Sequence, residues 1–112
     1  MAIVLVKDKI SKEEFQKARE DYKSYIKITA DLNSGMVVFG GEYHADAEKL
    51  LLGKGAKQEN IWGGGFNLEA KQIEANVIIN IKPTVNDSPE ILDKAIREKF
   101  FYLAKKILGK YV

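Results

Sequence analysis

Short apolar runs alternate along the chain with segments whose apolar residues have helical spacing, which predicts several strands with helices between them. Residues 2–6 are uniformly apolar, as in a strand that is covered on both faces. From Tyr25 to Leu32, apolar and polar residues alternate strictly, which is typical of a half-buried strand. The turn sequence Asn33-Ser34-Gly35 leads into the apolar run 36–39, so these two strands are expected to form a hairpin.

Three segments have the pattern of amphipathic helices. The first begins at Ser11, which forms a capping-box pattern with Glu14 three residues later. The second follows Gly40-Gly41, a tight turn that requires positive φ angles, and carries His44, the only histidine. The third begins after Asp93, the expected N-cap, and its apolar arc is wide enough to cover a sheet.

Two further strands are predicted between the second and third helices, over residues 60–68 and 72–81 with a two-residue turn between them. This register places Trp62 opposite Ile79 on the core face. The other face then carries two glycines of the run 63–65. A strip of sheet without side chains either lets another segment approach closely or leaves a shallow groove.

Together these elements predict a single α+β domain over residues 1–112. Its element order is β-α-β-β-α-β-β-α, with three helices packed on one mixed, largely antiparallel sheet of about five strands. The pattern does not indicate which face of the sheet the helices cover. If they share one face, the other face is free for a second copy of the chain, and a homo-oligomer is therefore expected.

Composition narrows the function classes. Eighteen basic and sixteen acidic residues give a net charge of +2, far from the concentrated positive field of nucleic-acid-binding proteins, so a nucleic-acid partner is not expected. No apolar run approaches the roughly 18 residues that a membrane span requires, so no membrane role is expected. Without cysteine there is no disulfide framework or thiol nucleophile, and a cytoplasmic location is the default expectation.

The segment around the double glycine holds the densest set of reactive side chains. Glu42, His44 and Glu48 could converge as ligands of a divalent metal, because residues four apart share one face of a helix. His44 is also the candidate catalytic acid or base. The alternative interpretation is structural: Glu42, Asp46 and Glu48 complement the positive end of the helix dipole, and His44 is a hydrogen-bonded border residue.

Residues of the two later strands supply further candidates. Trp62 is either a core anchor or a stacking surface beside the glycine run. Asn76 and Asn80 are amides in a predicted strand, where a covered amide needs hydrogen-bond partners or meets a ligand.

Three motifs together resemble a small prokaryotic family described as a domain of unknown function. They are GGEYHADAE at 40–48, KQENIWG at 57–63 and INIKP at 79–83. The resemblance implies that the family's motif positions fall on Glu42, His44, Asp46, Glu48, Trp62, Asn80, Lys82 and Pro83. It implies no activity or cofactor. The chain departs from the family pattern at Gly64-Gly65, where an asparagine is expected after Trp-Gly, and at Asp93-Lys94, where Asp-Pro is expected.

The sequence therefore predicts a small soluble intracellular binding or interaction domain, with a small polar ligand as one expected partner. Its site would be the polar segment Glu42–Glu48 facing Trp62–Gly65 and Asn80–Lys82, so the ligand-binding candidates are Glu42, His44, Asp46, Glu48, Trp62, Asn80 and Lys82. A metal-assisted hydrolase with Glu42, His44 and Glu48 as ligands is one alternative. A structural subunit of a larger assembly, with the last helix as its interface, is the other.

Overall fold

The computed structural model describes residues 2–112 as a five-stranded antiparallel sheet with three helices. Its strands are β1 (Ile3–Val6), β2 (Tyr25–Asp31), β3 (Val37–Gly40), β4 (Ile61–Asn67) and β5 (Gln72–Glu74), in the spatial order β1-β3-β2-β4-β5. Its helices are α1 (Lys12–Ala18), α2 (His44–Gly53) and α3 (Lys94–Leu108), with short 3₁₀ turns at Gln58–Asn60, Ile78–Asn80 and Gly109–Tyr111. The α+β class and the predicted element order are confirmed, and every strand pair is antiparallel.

Local sequence signals set the helix ends. The Ser11 hydroxyl accepts a hydrogen bond from the Glu14 amide at 3.1 Å, and the Glu14 carboxylate accepts one from the Ser11 amide at 2.9 Å, which completes the predicted capping box. At the start of α3, Asp93 Oδ1 accepts a hydrogen bond from the Ile96 amide at 3.0 Å. Gly109 ends α3 with a positive φ of 53°. These boundaries are confirmed. They could be predicted because each depends only on residues within one helical turn.

The helices lie on both faces of the sheet. On one face, Phe15 of α1 and Phe100 of α3 pack with Ile28 in the main hydrophobic cluster. On the other face, Leu51 of α2 packs with Val38 in a second, smaller cluster. No whole face of the sheet is therefore left open for a second copy of the chain, and the apolar arc of α3 is used inside the domain.

The double glycine fixes the path from β3 into α2. Gly40 and Gly41 both have a φ of +92°, as the turn sequence predicts. A Cβ on Gly40 would overlap the Ala2 carbonyl oxygen and lie 3.0 Å from the backbone of Ala18. Gly40 therefore lets β1 and the end of α1 approach β3 closely.

The predicted long strand over residues 72–81 is wrong beyond Glu74. β5 has three residues and pairs Ile73 with Phe66, two positions away from the predicted register. The reason is a four-residue connection in which Asn67 Oδ1 accepts hydrogen bonds from the amides of the next turn at 3.1 and 3.0 Å. Because the shift is even, Ile73 still faces the main cluster. Ile79 does not lie opposite Trp62 and packs instead with the second cluster.

One buried polar group lacks a partner. Thr29 of β2 is fully buried, and its Oγ1 is the one such side-chain atom in residues 2–112 with no hydrogen bond. We expect Thr29→Val, which keeps the shape of the side chain, to raise the free energy of unfolding by about 1 kcal/mol, because an unsatisfied buried hydroxyl is costly. Denaturant unfolding of the two proteins measures the difference, and a destabilised variant would contradict this account.

Candidate functional site

A pocket of about 560 Å³ opens on the face of the sheet that α2 covers. One wall is the first turns of α2, the opposite wall is the segment after β5, and the start of β2 closes one side. Its lining residues are Tyr25, Lys27, Tyr43, His44, Ala45, Glu48, Val77, Ile78 and Ile79. Most of the lining is apolar, with a few polar groups, which is the usual composition of a small-molecule site.

The glycines of β4 let these walls come together. A Cβ on Gly63 would lie 2.5 Å from Ile79 and 3.2 Å from the imidazole Cδ2 of His44. A Cβ on Gly65 would overlap the hydroxyl of Tyr25. The sequence left open whether the glycine strip admits a neighbour or forms a groove, and the structure shows close approach by side chains that also line the pocket.

His44 is held in one orientation by the sheet. Its Nε2 lies 2.8 Å from the carbonyl oxygen of Gly64, and because a carbonyl can only accept, Nε2 carries the proton. Burial lowers the pKa of His44, the hydrogen bond to Gly64 raises it, and the positive charge of Lys27 lowers it, with a net shift downward from 6.5. At neutral pH the ring is therefore uncharged, and Nδ1 is the unprotonated nitrogen.

Lys27 is positioned by aromatic rings. Its ammonium lies 4.1 Å from the centroid of the Tyr22 ring and 5.7 Å from that of the Tyr25 ring, which is cation–π geometry. Burial, and next the negative charge of Glu74, raise the pKa of the Tyr25 hydroxyl, so it is a neutral hydrogen-bonding group. The pocket thus has a fixed cation beside a phenol.

Lys82 lies next to the pocket without lining it. It is 8% exposed, its Nζ donates a hydrogen bond to the Gln58 carbonyl oxygen at 2.8 Å, and it lies 5.0 Å from the Trp62 ring centroid. Burial lowers the pKa of Lys82, and the negative charge of Glu48 raises it. Glu48, on the pocket wall, therefore acts on Lys82 through its charge, although the two side chains form no ion pair.

Asn80 is fully buried and holds the pocket wall to β4. Its Oδ1 accepts a hydrogen bond from the Gly63 amide at 2.8 Å, and its Nδ2 donates to the carbonyl oxygens of Gly63 and Pro89, both at 2.9 Å. Gly63 lies beyond the residues that β5 pairs with. The side-chain amide of Asn80 thus hydrogen-bonds the backbone of Gly63 as a residue of a neighbouring strand would.

Asn86 organises the loop that follows. Its Nδ2 lies within 2.9 Å of the carbonyl oxygens of Asn80, Ser88 and Glu90, and its Oδ1 accepts from the Leu92 amide at 3.0 Å. Both asparagines are therefore used in internal hydrogen bonds. They shape the pocket wall without reaching into it.

A family model described as "Protein of unknown function (DUF5674)" matches residues 4–107. The chain belongs to this family. The match confirms the resemblance to an uncharacterised family seen in the sequence. No curated protein and no solved structure was found to match the chain.

The predicted site residues of this DUF5674 domain fall into different places. His44 and Glu48 line the pocket. Asn80 and Lys82 are buried beside it, whereas Trp62 packs in the main cluster on the other face of the sheet and does not line the pocket. Glu42 and Asp46 do not line the pocket, Glu42 is exposed, and α2 has no side-chain cap from either carboxylate. Within residues 2–112, no group of three or more His, Asp or Glu side chains is arranged to hold a metal ion.

Outside the predicted segment Glu42–Glu48, sequence reasoning missed five residues of the lining: Tyr25, Lys27, Val77, Ile78 and Ile79. A signal for two of them was present. Tyr25 and Lys27 lie on the polar face of β2, and the glycines of β4 were expected on a face without side chains. In the structure Lys27 lies opposite Gly65. Ile78 gave no such signal, because its position depends on the turn that replaces the predicted strand.

The buried amide of Asn80 yields a stability prediction. We expect Asn80→Ala to lower the free energy of unfolding by about 3 kcal/mol, since it removes three hydrogen bonds and leaves the backbone groups of Gly63 without partners. Asn76→Ala, at an exposed asparagine of the same segment, should change it by less than about 0.5 kcal/mol. Denaturant unfolding checks both variants, and equal effects would contradict the structural role of Asn80.

The lowered pKa of His44 predicts how stability depends on pH. Between the folded-state pKa and the ordinary value of 6.5, the unfolded chain binds more protons than the folded protein. Stability should therefore fall as the pH is lowered from about 6.5 through this window, and His44→Gln should flatten that dependence. Because His44 is the only histidine, its proton NMR signals report the folded-state pKa directly. A measured pKa above 6.5 would contradict the prediction.

Proposed function

We propose that this protein is a small ligand-binding domain whose site is the pocket between α2 and residues 77–79. The observation that supports it most is the construction of the pocket. Three separate segments contribute to its walls, and the glycines of β4 are needed for them to meet. Apolar walls with a few fixed polar groups suit a ligand with an apolar body.

Exposed apolar side chains at the rim support the same function. Ile78 is 80% exposed and Tyr43 is 62% exposed, and both line the pocket. A neighbouring depression of about 230 Å³ shares Ile79 with the pocket and continues the apolar surface to Ile81 and Val85. Apolar surface that is gathered at a concave site, in contrast to single scattered residues, indicates a binding surface.

The other two functions predicted from the sequence have less support. A metal-assisted hydrolase needs Glu42 beside His44 and Glu48, and Glu42 is exposed outside the pocket. A structural subunit that uses α3 as its interface needs the apolar arc that already packs in the main cluster. A cytoplasmic location and a homo-oligomer stay predictions from the sequence. The described residues include no helix that is long and apolar enough to cross a membrane.

A neutral fluorescent probe tests the binding function. Phenylnaphthylamine should bind the protein, and Ile78→Glu should weaken binding at least about tenfold, because a carboxylate at the rim would lose water beside an apolar ligand. Tyr102→Glu, at another exposed site on α3 that is 68% accessible, is the matched control and should bind as the unaltered protein does.

Proton NMR of His44 provides the second readout. Its ring signals should shift as the probe is added, since the ring lines the pocket. No binding, or equal binding by the two glutamate variants, would overturn the proposed function.

A further inference from the structure

The position of Lys27 on the pocket wall indicates what kind of ligand the pocket takes. Lys27 is on the wall, and no carboxylate lies within ion-pair distance of it, since the one ion pair in residues 2–112 joins Lys94 and Glu98 at 4.0 Å. The half-buried ammonium is held against the rings of Tyr22 and Tyr25. A positioned cation without an anion is ready to pair with an anionic ligand.

The other ionisable groups leave this positive charge in place. Glu48 also lines the pocket, but it forms no ion pair with Lys27, and its negative charge raises the pKa of the neighbouring Lys82. His44 donates its one proton to Gly64 and adds no charge in its neutral form. Glu74 lies across Gly65 from Lys27 on the exposed edge strand, does not line the pocket and forms no ion pair with Lys27; its negative charge acts on the Tyr25 hydroxyl.

We propose that the pocket binds a small organic anion, with an apolar or aromatic body against Ile78, Ile79 and Tyr43 and an anionic group paired with Lys27. This inference rests on the proposed function and adds the chemical class of the ligand. The apolar walls fit the apolar body of such a molecule, and the Lys27 ammonium fits its anionic group. A carboxylate and a sulfonate each carry one negative charge on oxygen atoms that accept hydrogen bonds, so either serves as a probe.

Two probes that differ in one group test the inference. Anilinonaphthalene sulfonate carries an anionic group on the same ring system as neutral phenylnaphthylamine. Fluorescence titration should show that the sulfonate binds more tightly, and that Lys27→Met lowers its affinity about tenfold while changing that of the neutral probe less than about twofold. Lys23→Met, at an exposed lysine just before β2, is the matched control and should leave both affinities unchanged.

The outcomes separate the two proposals. If the neutral probe binds and depends on Ile78, but the ratio of the two affinities is the same in Lys27→Met, the pocket binds ligands and the anionic class is wrong. If neither probe depends on Ile78, the proposed function itself fails. A thermal unfolding midpoint for each variant shows that it is folded, and Lys27→Gln repeats the test with a polar side chain should Lys27→Met unfold.

Discussion

The pair of hydrogen bonds between the Asn80 amide and the backbone of Gly63 is the contact on which the candidate site depends. Beyond β5, the edge of β4 would expose backbone groups that need partners. A single buried side chain supplies them and at the same time anchors residues 77–79 across the face of the sheet. Asn86 then ties the returning loop to the carbonyl oxygen of Asn80. Without these contacts one wall of the pocket would have no fixed position.

Glycine makes the same region compact. Each residue of the run 63–65 contacts a different neighbour: Gly63 meets the 77–79 segment and α2, Gly64 meets Phe100 of α3, and Gly65 meets Tyr25. Side chains on both faces of the sheet therefore pack close to the backbone of β4 at these glycines. Glycine lowers the intrinsic stability of a strand, and here this cost is accompanied by close packing on both sides.

Electrostatics gives the pocket its chemical character. Burial favours the neutral form of His44, and the Gly64 carbonyl fixes which nitrogen keeps the proton. Lys27 lies at the half-buried surface, where its ammonium is held against the rings of Tyr22 and Tyr25. The negative charge of Glu48 raises the pKa of Lys82, which burial lowers. The result is a mostly apolar cavity in which Lys27 has no ion-pair partner among residues 2–112, and this favours the proposed organic anion over the metal ion suggested by sequence spacing.

The sequence alone determined the features that depend on neighbours within a few residues. These are the capping box at Ser11, the Asp93 cap, the positive-φ double glycine, the alternating strand β2 and the element order. It also directed attention to His44 and Asn80, but not to their different roles. Only the tertiary structure decided that α2 lies opposite α1 and α3, that residues 78–80 turn instead of extending β5, and that Lys27 joins the site. These outcomes depend on contacts between residues far apart in the chain. The local pattern of Ile-Ile-Asn predicts a strand, and only the hydrogen bonds of Asn80 to distant backbone groups decide that the segment turns.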